Sequence, residues 1–226
     1  MAQIDKNTVK GDKQLGQLSK VRFEKEDGAG VRVLFAGNSI TRHASKPEIG
    51  WEGDWGMAAS SMDKDYVHVL ENLICQKNPD ATFCTCQVSD WEVNFRTGEE
   101  QFYKFCEARD FDADIIVLRL IENCNKDFDG EIFRTEYEKL VAYLDKNSKA
   151  KIIVTTSFWK HPGDDVLKEM AQEFGYDFVY LGDLGEDSKM RADGLFEHSG
   201  VAAHPSDLGM EEIAKRIFSK VINYID

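Results

Sequence analysis

Short apolar runs alternate with amphipathic helical segments along most of the chain, and this alternation is the strongest constraint on its fold. The predicted core strands cover residues 31–36, 81–88, 114–120, 151–156 and 177–181, and the predicted helices cover residues 66–74, 135–146, 164–174 and 211–222. Strands and helices that alternate at this spacing are typical of a parallel sheet covered by helices on both faces.

The chain length of 226 residues fits one domain with a core of ordinary size. We expect residues 1–30 to form a polar N-terminal extension, loose up to about residue 19, that carries a short edge strand at residues 21–25. Residues 31–226 are expected to form the folded domain. The sequence does not indicate an oligomeric state.

The composition limits the partners that the chain is expected to bind. A formal net charge of −13 predicts repulsion from phosphate backbones and anionic lipid headgroups, which argues against nucleic-acid and membrane binding. The sequence has no apolar run of about 18 residues, and its first residues lack the apolar core of a signal peptide. Five cysteines without CxxC or Cys/His metal spacing favour free thiols in a reducing compartment. We therefore expect a cytoplasmic protein without a metal or other cofactor.

The first core strand ends in the small polar sequence Gly37-Asn38-Ser39. Ligands of open α/β sheets bind at the carboxyl ends of the strands, so Ser39 is well placed to be a nucleophile. A serine here also suits the N-cap of a following helix, and this segment alone does not decide between the two interpretations.

A histidine near the other end of the chain supplies a second candidate group. His204 precedes Pro205 and a predicted helix whose N-cap is Ser206 or Asp207. Because proline fixes the backbone directly after the histidine, the imidazole is presented from a stiff turn. Ser39 and His204 are 165 residues apart, so only the fold can bring them together.

Three segments together resemble the sequence blocks of the SGNH/GDSL hydrolases. Residues 37–41 (GNSIT) and 204–210 (HPSDLGM) resemble the first and last blocks, and residues 121–124 (IENC) partly match a middle block. The resemblance implies a three-layer α/β/α fold with a five-stranded, mostly parallel, flavodoxin-like sheet. It also implies ester hydrolysis through an acyl-serine, with Ser39 as the nucleophile, His204 as the general base and Asn123 as an oxyanion donor.

The acid of the family pattern is missing. It normally precedes the histidine by three residues and falls here on Val201, or on Ser199 if an insertion is counted. We expect His204 to be oriented either by a backbone carbonyl or by another acid such as Glu197.

The second and third blocks also depart from the family pattern. The second-block glycine has no counterpart, and a backbone N–H near Ser89 or Asp90 is expected to replace it as an oxyanion donor. Ile121 stands at the position of the third-block glycine, and Cys124 stands at that of its aspartate.

The favoured function is a serine esterase that removes a short acyl group, such as acetyl, from a carbohydrate. A stretch rich in Gly and Trp, residues 48–59, is expected to rim the pocket, where tryptophans and loop acids suit hydroxyl-rich substrates. The alternatives are a lysophospholipase or thioesterase of the same family, and a carbohydrate-binding protein with impaired catalysis.

Overall fold

The centre of the computed structural model, which describes residues 20–25, 28–124 and 127–225, is a six-stranded sheet. Its strands are β1 (Val21–Glu24), β2 (Arg32–Gly37), β3 (Thr82–Gln87), β4 (Ile115–Arg119), β5 (Lys151–Thr155) and β6 (Asp177–Val179). Their spatial order is β1-β3-β2-β4-β5-β6, with β1 antiparallel to β3 and all other neighbours parallel. The predicted α/β sheet is confirmed. It has six strands rather than five because the predicted edge strand pairs with β3.

Seven α-helices connect or follow the strands in the described residues. They are α1 (Tyr66–Cys75), α2 (Ser89–Val93), α3 (Cys106–Asp110), α4 (Gly130–Leu144), α5 (Asp164–Phe174), α6 (Ser199–Ala202) and α7 (Asp207–Val221). Helix α4 begins earlier than predicted because Asp129 caps it by accepting from the N–H groups of Glu131 and Ile132. Across the described ranges, no helix combines the length and apolar character needed to cross a bilayer. The extension predicted for residues 1–19 lies outside the described residues.

The helices lie on both faces of the sheet. Alternate side chains of β2 enter different cores: Leu34 and Ala36 pack with α4, whereas Val33 and Phe35 pack with α1 and α7. The residues of both cores are buried, and α1 and α7 also pack against each other. The result is a three-layer α/β/α arrangement.

The strand order places a crevice at the carboxyl ends of β2 and β4. The chain passes from one side of β2 to the other between β3 and β4, which makes this edge a topological switch point. Gly37 at the end of β2 pairs with Arg119 at the end of β4. A Cβ at Gly37 would lie 2.5 Å from the Arg119 carbonyl oxygen, so this close approach requires glycine. Ser39 and Asn123 follow these two strands directly.

Candidate active site

Ser39 and His204 meet at the switch point. Ser39 lies on the loop after β2, and His204 lies between α6 and α7. The distance between Ser39 Oγ and His204 Nε2 is 2.8 Å, which is a hydrogen-bond distance. The imidazole can therefore accept the serine proton directly.

A backbone carbonyl orients the imidazole. His204 Nδ1 lies 2.7 Å from the Gly200 carbonyl oxygen. Because a carbonyl oxygen only accepts, Nδ1 carries the hydrogen and Nε2 directs its lone pair at Ser39. Val201 is fully buried, and Glu197 is exposed without a hydrogen bond to His204 among the described residues. Of the two predicted orientations, the structure has the one that uses a carbonyl.

The environment of His204 favours its neutral form. The ring packs edge-on against Trp159, with 5.5 Å between the ring centroids. Burial lowers the pKa of His204 to about 4, with a contribution in the same direction from the positive charge of Arg119 and against the effect of the Gly200 hydrogen bond. At neutral pH the imidazole is uncharged, which is the form that can act as a base.

Buried polar side chains hold Asn38, the residue before Ser39. Its Nδ2 donates to Glu92 Oε1 at 3.0 Å and to Glu122 Oε2 at 2.5 Å. Its Oδ1 accepts from Arg119 Nη1 at 2.8 Å and from the Ile40 N–H at 3.2 Å. Both polar atoms of the Asn38 amide are hydrogen-bonded, so these contacts fix the loop that carries Ser39.

Glu92 on α2 joins this network to Asn123. The side chain is fully buried; its Oε1 also accepts from the Ile121 N–H at 2.5 Å, and its Oε2 accepts from Asn123 Nδ2 at 2.7 Å. Burial raises the pKa of Glu92, while these donors and Arg119 oppose the rise. Arg119 is itself fully buried and forms an ion pair with Glu122. Burial lowers the pKa of Arg119 to about 10, so the guanidinium stays charged at neutral pH.

Ile121 has a backbone conformation that glycine adopts more easily than other residues. Its φ is +127°, which L-residues rarely adopt and which costs about 1–3 kcal/mol. The residue stands where the family pattern has glycine, and its N–H is the one that Glu92 binds. The buried carboxylate thus supports the turn that carries Asn123.

A cavity of about 350 Å³ opens over these groups. Its polar lining includes Ser39, Ser89, Asn123 and His204. Its apolar lining comes from Ile49, Met57, Val93 and Val201, of which the first two belong to the stretch 48–59. His43 and His198, which the sequence did not single out, lie at the same cavity.

Three N–H donors adjoin the cavity. Ser89 is the first residue of α2, so its backbone N–H has no intrahelical acceptor. Within the described part of the chain, neither this N–H nor that of Ser39 has a hydrogen-bond acceptor. Asn123 gives one amide hydrogen to Glu92 and keeps the other for the cavity, to which its side chain is exposed.

The tryptophans contribute to the site mainly by packing. Trp51 and Trp91 are buried, Trp55 is half-buried and donates to the Ala59 carbonyl, and Trp159 contacts His204. The loop acid Asp54 accepts from Arg42 Nε and Nη2 at 3.0 and 3.1 Å. That carboxylate therefore secures the loop to the residues after Ser39.

Known proteins resemble the chain in structure and not in sequence. No family model matches it, and no curated protein matches it. A lipase/acylhydrolase from Enterococcus faecalis superposes with a TM-score of 0.57 at 11% identity, over 87% of this chain and 97% of that chain. A family two carbohydrate esterase from Clostridium thermocellum, in complex with cellohexaose, superposes with a TM-score of 0.56 at 15% identity, over 85% of this chain and 64% of that chain.

A further match is a two-domain esterase active on acetylated mannans, with a TM-score of 0.54 at 11% identity, over 89% of this chain and 51% of that chain. These similarities confirm the fold that the sequence resemblance implies. The chain shares the α/β/α fold of these lipase/acylhydrolase and esterase structures.

Proposed function

We propose that the chain is a serine esterase that removes a short acyl group, above all acetyl, from a carbohydrate. The observation that carries the proposal is the 2.8 Å contact between Ser39 Oγ and His204 Nε2. The Gly200 carbonyl supports it because it leaves Nε2 unprotonated and directed at the hydroxyl.

The proposed reaction has two acyl-transfer steps. His204 Nε2 takes the Ser39 proton as Oγ attacks the ester carbonyl, and it then gives that proton to the leaving alcohol. Water, deprotonated by the same nitrogen, then attacks the acyl carbon, and Nε2 returns the proton to Ser39 Oγ as the carboxylic acid is released. The N–H groups of Ser39 and Ser89 and the free amide hydrogen of Asn123 stabilise the oxyanion, each by about 3 kcal/mol.

The reaction uses a dyad in which the Gly200 carbonyl takes the place of a carboxylate. A carbonyl dipole stabilises the imidazolium less than a full negative charge does. The nearby positive charge of Arg119 acts against the imidazolium as well. Burial of the imidazole is the main cause of its low pKa, and the positive charge of Arg119 adds to it.

The dyad predicts an unusually acid-tolerant pH profile. Hydrolysis requires neutral His204, so kcat/KM rises with pH through the pKa of that residue and is level above it. With that pKa lowered to about 4, we expect the acid limb to have its midpoint near pH 4 rather than 6.5. Initial rates on p-nitrophenyl acetate across the acid range measure it, and a midpoint of about 6 or higher contradicts it.

The cavity supports a short acyl group. Its lining combines polar groups beside Ser39 with apolar side chains, and two of the similar structures are described with cellohexaose or as active on acetylated mannans. For an acetyl esterase we expect kcat/KM for p-nitrophenyl acetate to exceed that for the octanoate by at least about tenfold. Acetate release from acetylated mannan tests the carbohydrate part. A preference for octanoate would favour the lysophospholipase or thioesterase alternative.

The location of the protein in a reducing compartment is part of the same proposal. All five cysteines are free thiols, and Cys84, Cys86 and Cys124 are buried. A thiol count on the purified native and denatured chain tests it.

A further inference from the structure

A second cluster of titratable side chains lies outside the candidate active site. Glu24 at the end of β1 and His68 and Glu71 on α1 each place one potential ligand atom within 4.8 Å of the other two. His68 Nε2 is 3.2 Å from Glu24 Oε1. None of the three residues lines the cavity beside Ser39.

Glu71 is the unusual member of this cluster. Its side chain is buried, with the residue only 8% exposed, and its Oε1 has no hydrogen-bond partner among the described residues. An unsatisfied carboxyl oxygen in such a place costs free energy. A bound cation would satisfy this oxygen.

Asp65 orients the histidine of the cluster. His68 Nδ1 lies 2.7 Å from Asp65 Oδ1, and Asp65 is held in turn by the backbone N–H groups of Gly56 and His68 at 2.9 and 2.8 Å. A carboxylate on the far nitrogen is the usual outer partner of a metal-binding histidine. His68 Nε2 donates to Glu24 Oε1 in the absence of a cation, so binding of a cation at this nitrogen releases its proton.

We propose that Glu24, His68 and Glu71 bind a divalent transition-metal cation of the Zn²⁺ class. One imidazole and two carboxylates are ligands that this class accepts. Ligand atoms about 2.1 Å from a tetrahedral cation are about 3.4 Å apart, close to the distance from His68 Nε2 to Glu24 Oε1. His68 and Glu71 are one turn apart on α1, so the cation links that helix to the edge strand β1.

The sequence gives little sign of such a site. Glu24 is 44 residues from His68, and the set contains one histidine and no cysteine. Spacing rules for zinc sites therefore do not detect it.

Isothermal titration of the EDTA-treated full chain with Zn²⁺ tests the proposal. We expect one equivalent to bind, with affinity lowered at least about tenfold by Glu71→Gln and by Glu24→Gln. Glu169→Gln, which changes an exposed carboxylate on α5, serves as the matched control and leaves binding unchanged. Cys106 is an exposed free thiol and thiolates are zinc ligands, so each protein carries Cys106→Ser to remove this competing group.

Thermal unfolding gives a second measurement. The same Zn²⁺ concentration is expected to raise the Tm of the control by about 5 °C and to raise that of Glu71→Gln by clearly less. If Glu71→Gln does not fold, the half-buried Glu24→Gln decides by the same two measurements. Equal Zn²⁺ affinity in the control and both cluster variants, or no binding at about 1 mM, overturns the proposal.

Discussion

Replacing Ser39 by alanine lowers kcat for p-nitrophenyl acetate by about 10⁴-fold and leaves KM within a few-fold. The substitution removes the nucleophile while the N–H groups of Ser39 and Ser89 and the amide of Asn123 remain. The variant is therefore expected to hydrolyse the ester faster than the uncatalysed reaction in water, through oxyanion stabilisation and binding alone. The loss is smaller than the ~10⁶-fold seen for a full triad because a carbonyl supports His204 here.

The matched control for this experiment is Ser45→Ala. Ser45 is exposed and lies on the same loop, six residues after Ser39. We expect its substitution to change kcat by less than about twofold, because it removes a solvated hydroxyl. Comparable losses in both variants would show that the measured activity does not depend on Ser39.

The second large effect is expected for Glu92→Gln. The carboxylate accepts from Asn38, Ile121 and Asn123, and an amide can accept at only one of its two ends. With its oxygen facing Asn38 and Ile121, its NH₂ group would face the amide donor of Asn123. We expect the free energy of unfolding to fall by about 2–4 kcal/mol and kcat to fall by about 10²-fold, because Asn123 is no longer held at the oxyanion.

A comparison with Asp90→Asn separates positioning from general destabilisation. Asp90 is on the same helix, and its carboxylate forms ion pairs with Lys20 and Lys104 at the surface, at 3.2 and 2.7 Å. Such pairs contribute less than about 1 kcal/mol, so little change in stability or rate is expected. Kinetics well below each Tm then test the role of Glu92: a kcat equal to that of the control contradicts it.

The layer structure could be predicted because its signal is local, and the Ser39–His204 pair could be predicted because both residues lie in segments that resemble the SGNH/GDSL blocks. Alternating apolar runs specify buried strands, and each candidate residue sits at a strand end or before a helix start. The pairing of β1 with β3 has no comparable signal. Residues 21–25 have the pattern of an edge strand, but that pattern does not show which strand of the sheet they pair with.

The network beneath Ser39 was missed because its partners come from separate segments. Glu92 follows a buried tryptophan in a short helix, and nothing in that local pattern marks it as buried. Arg119 does carry a signal, since it interrupts an apolar strand and a buried charge must be paired. No sequence pattern marks the Gly200 carbonyl, because every residue has a backbone carbonyl.

Covalent trapping by a fluorophosphonate, read by peptide mass spectrometry, tests whether Ser39 is a nucleophile activated by His204. We expect one adduct per chain on the peptide that contains Ser39, no adduct in Ser39→Ala, and a labelling rate at least about 10²-fold lower in His204→Ala. An adduct on another residue, or equal labelling rates in the native chain and His204→Ala, would contradict it.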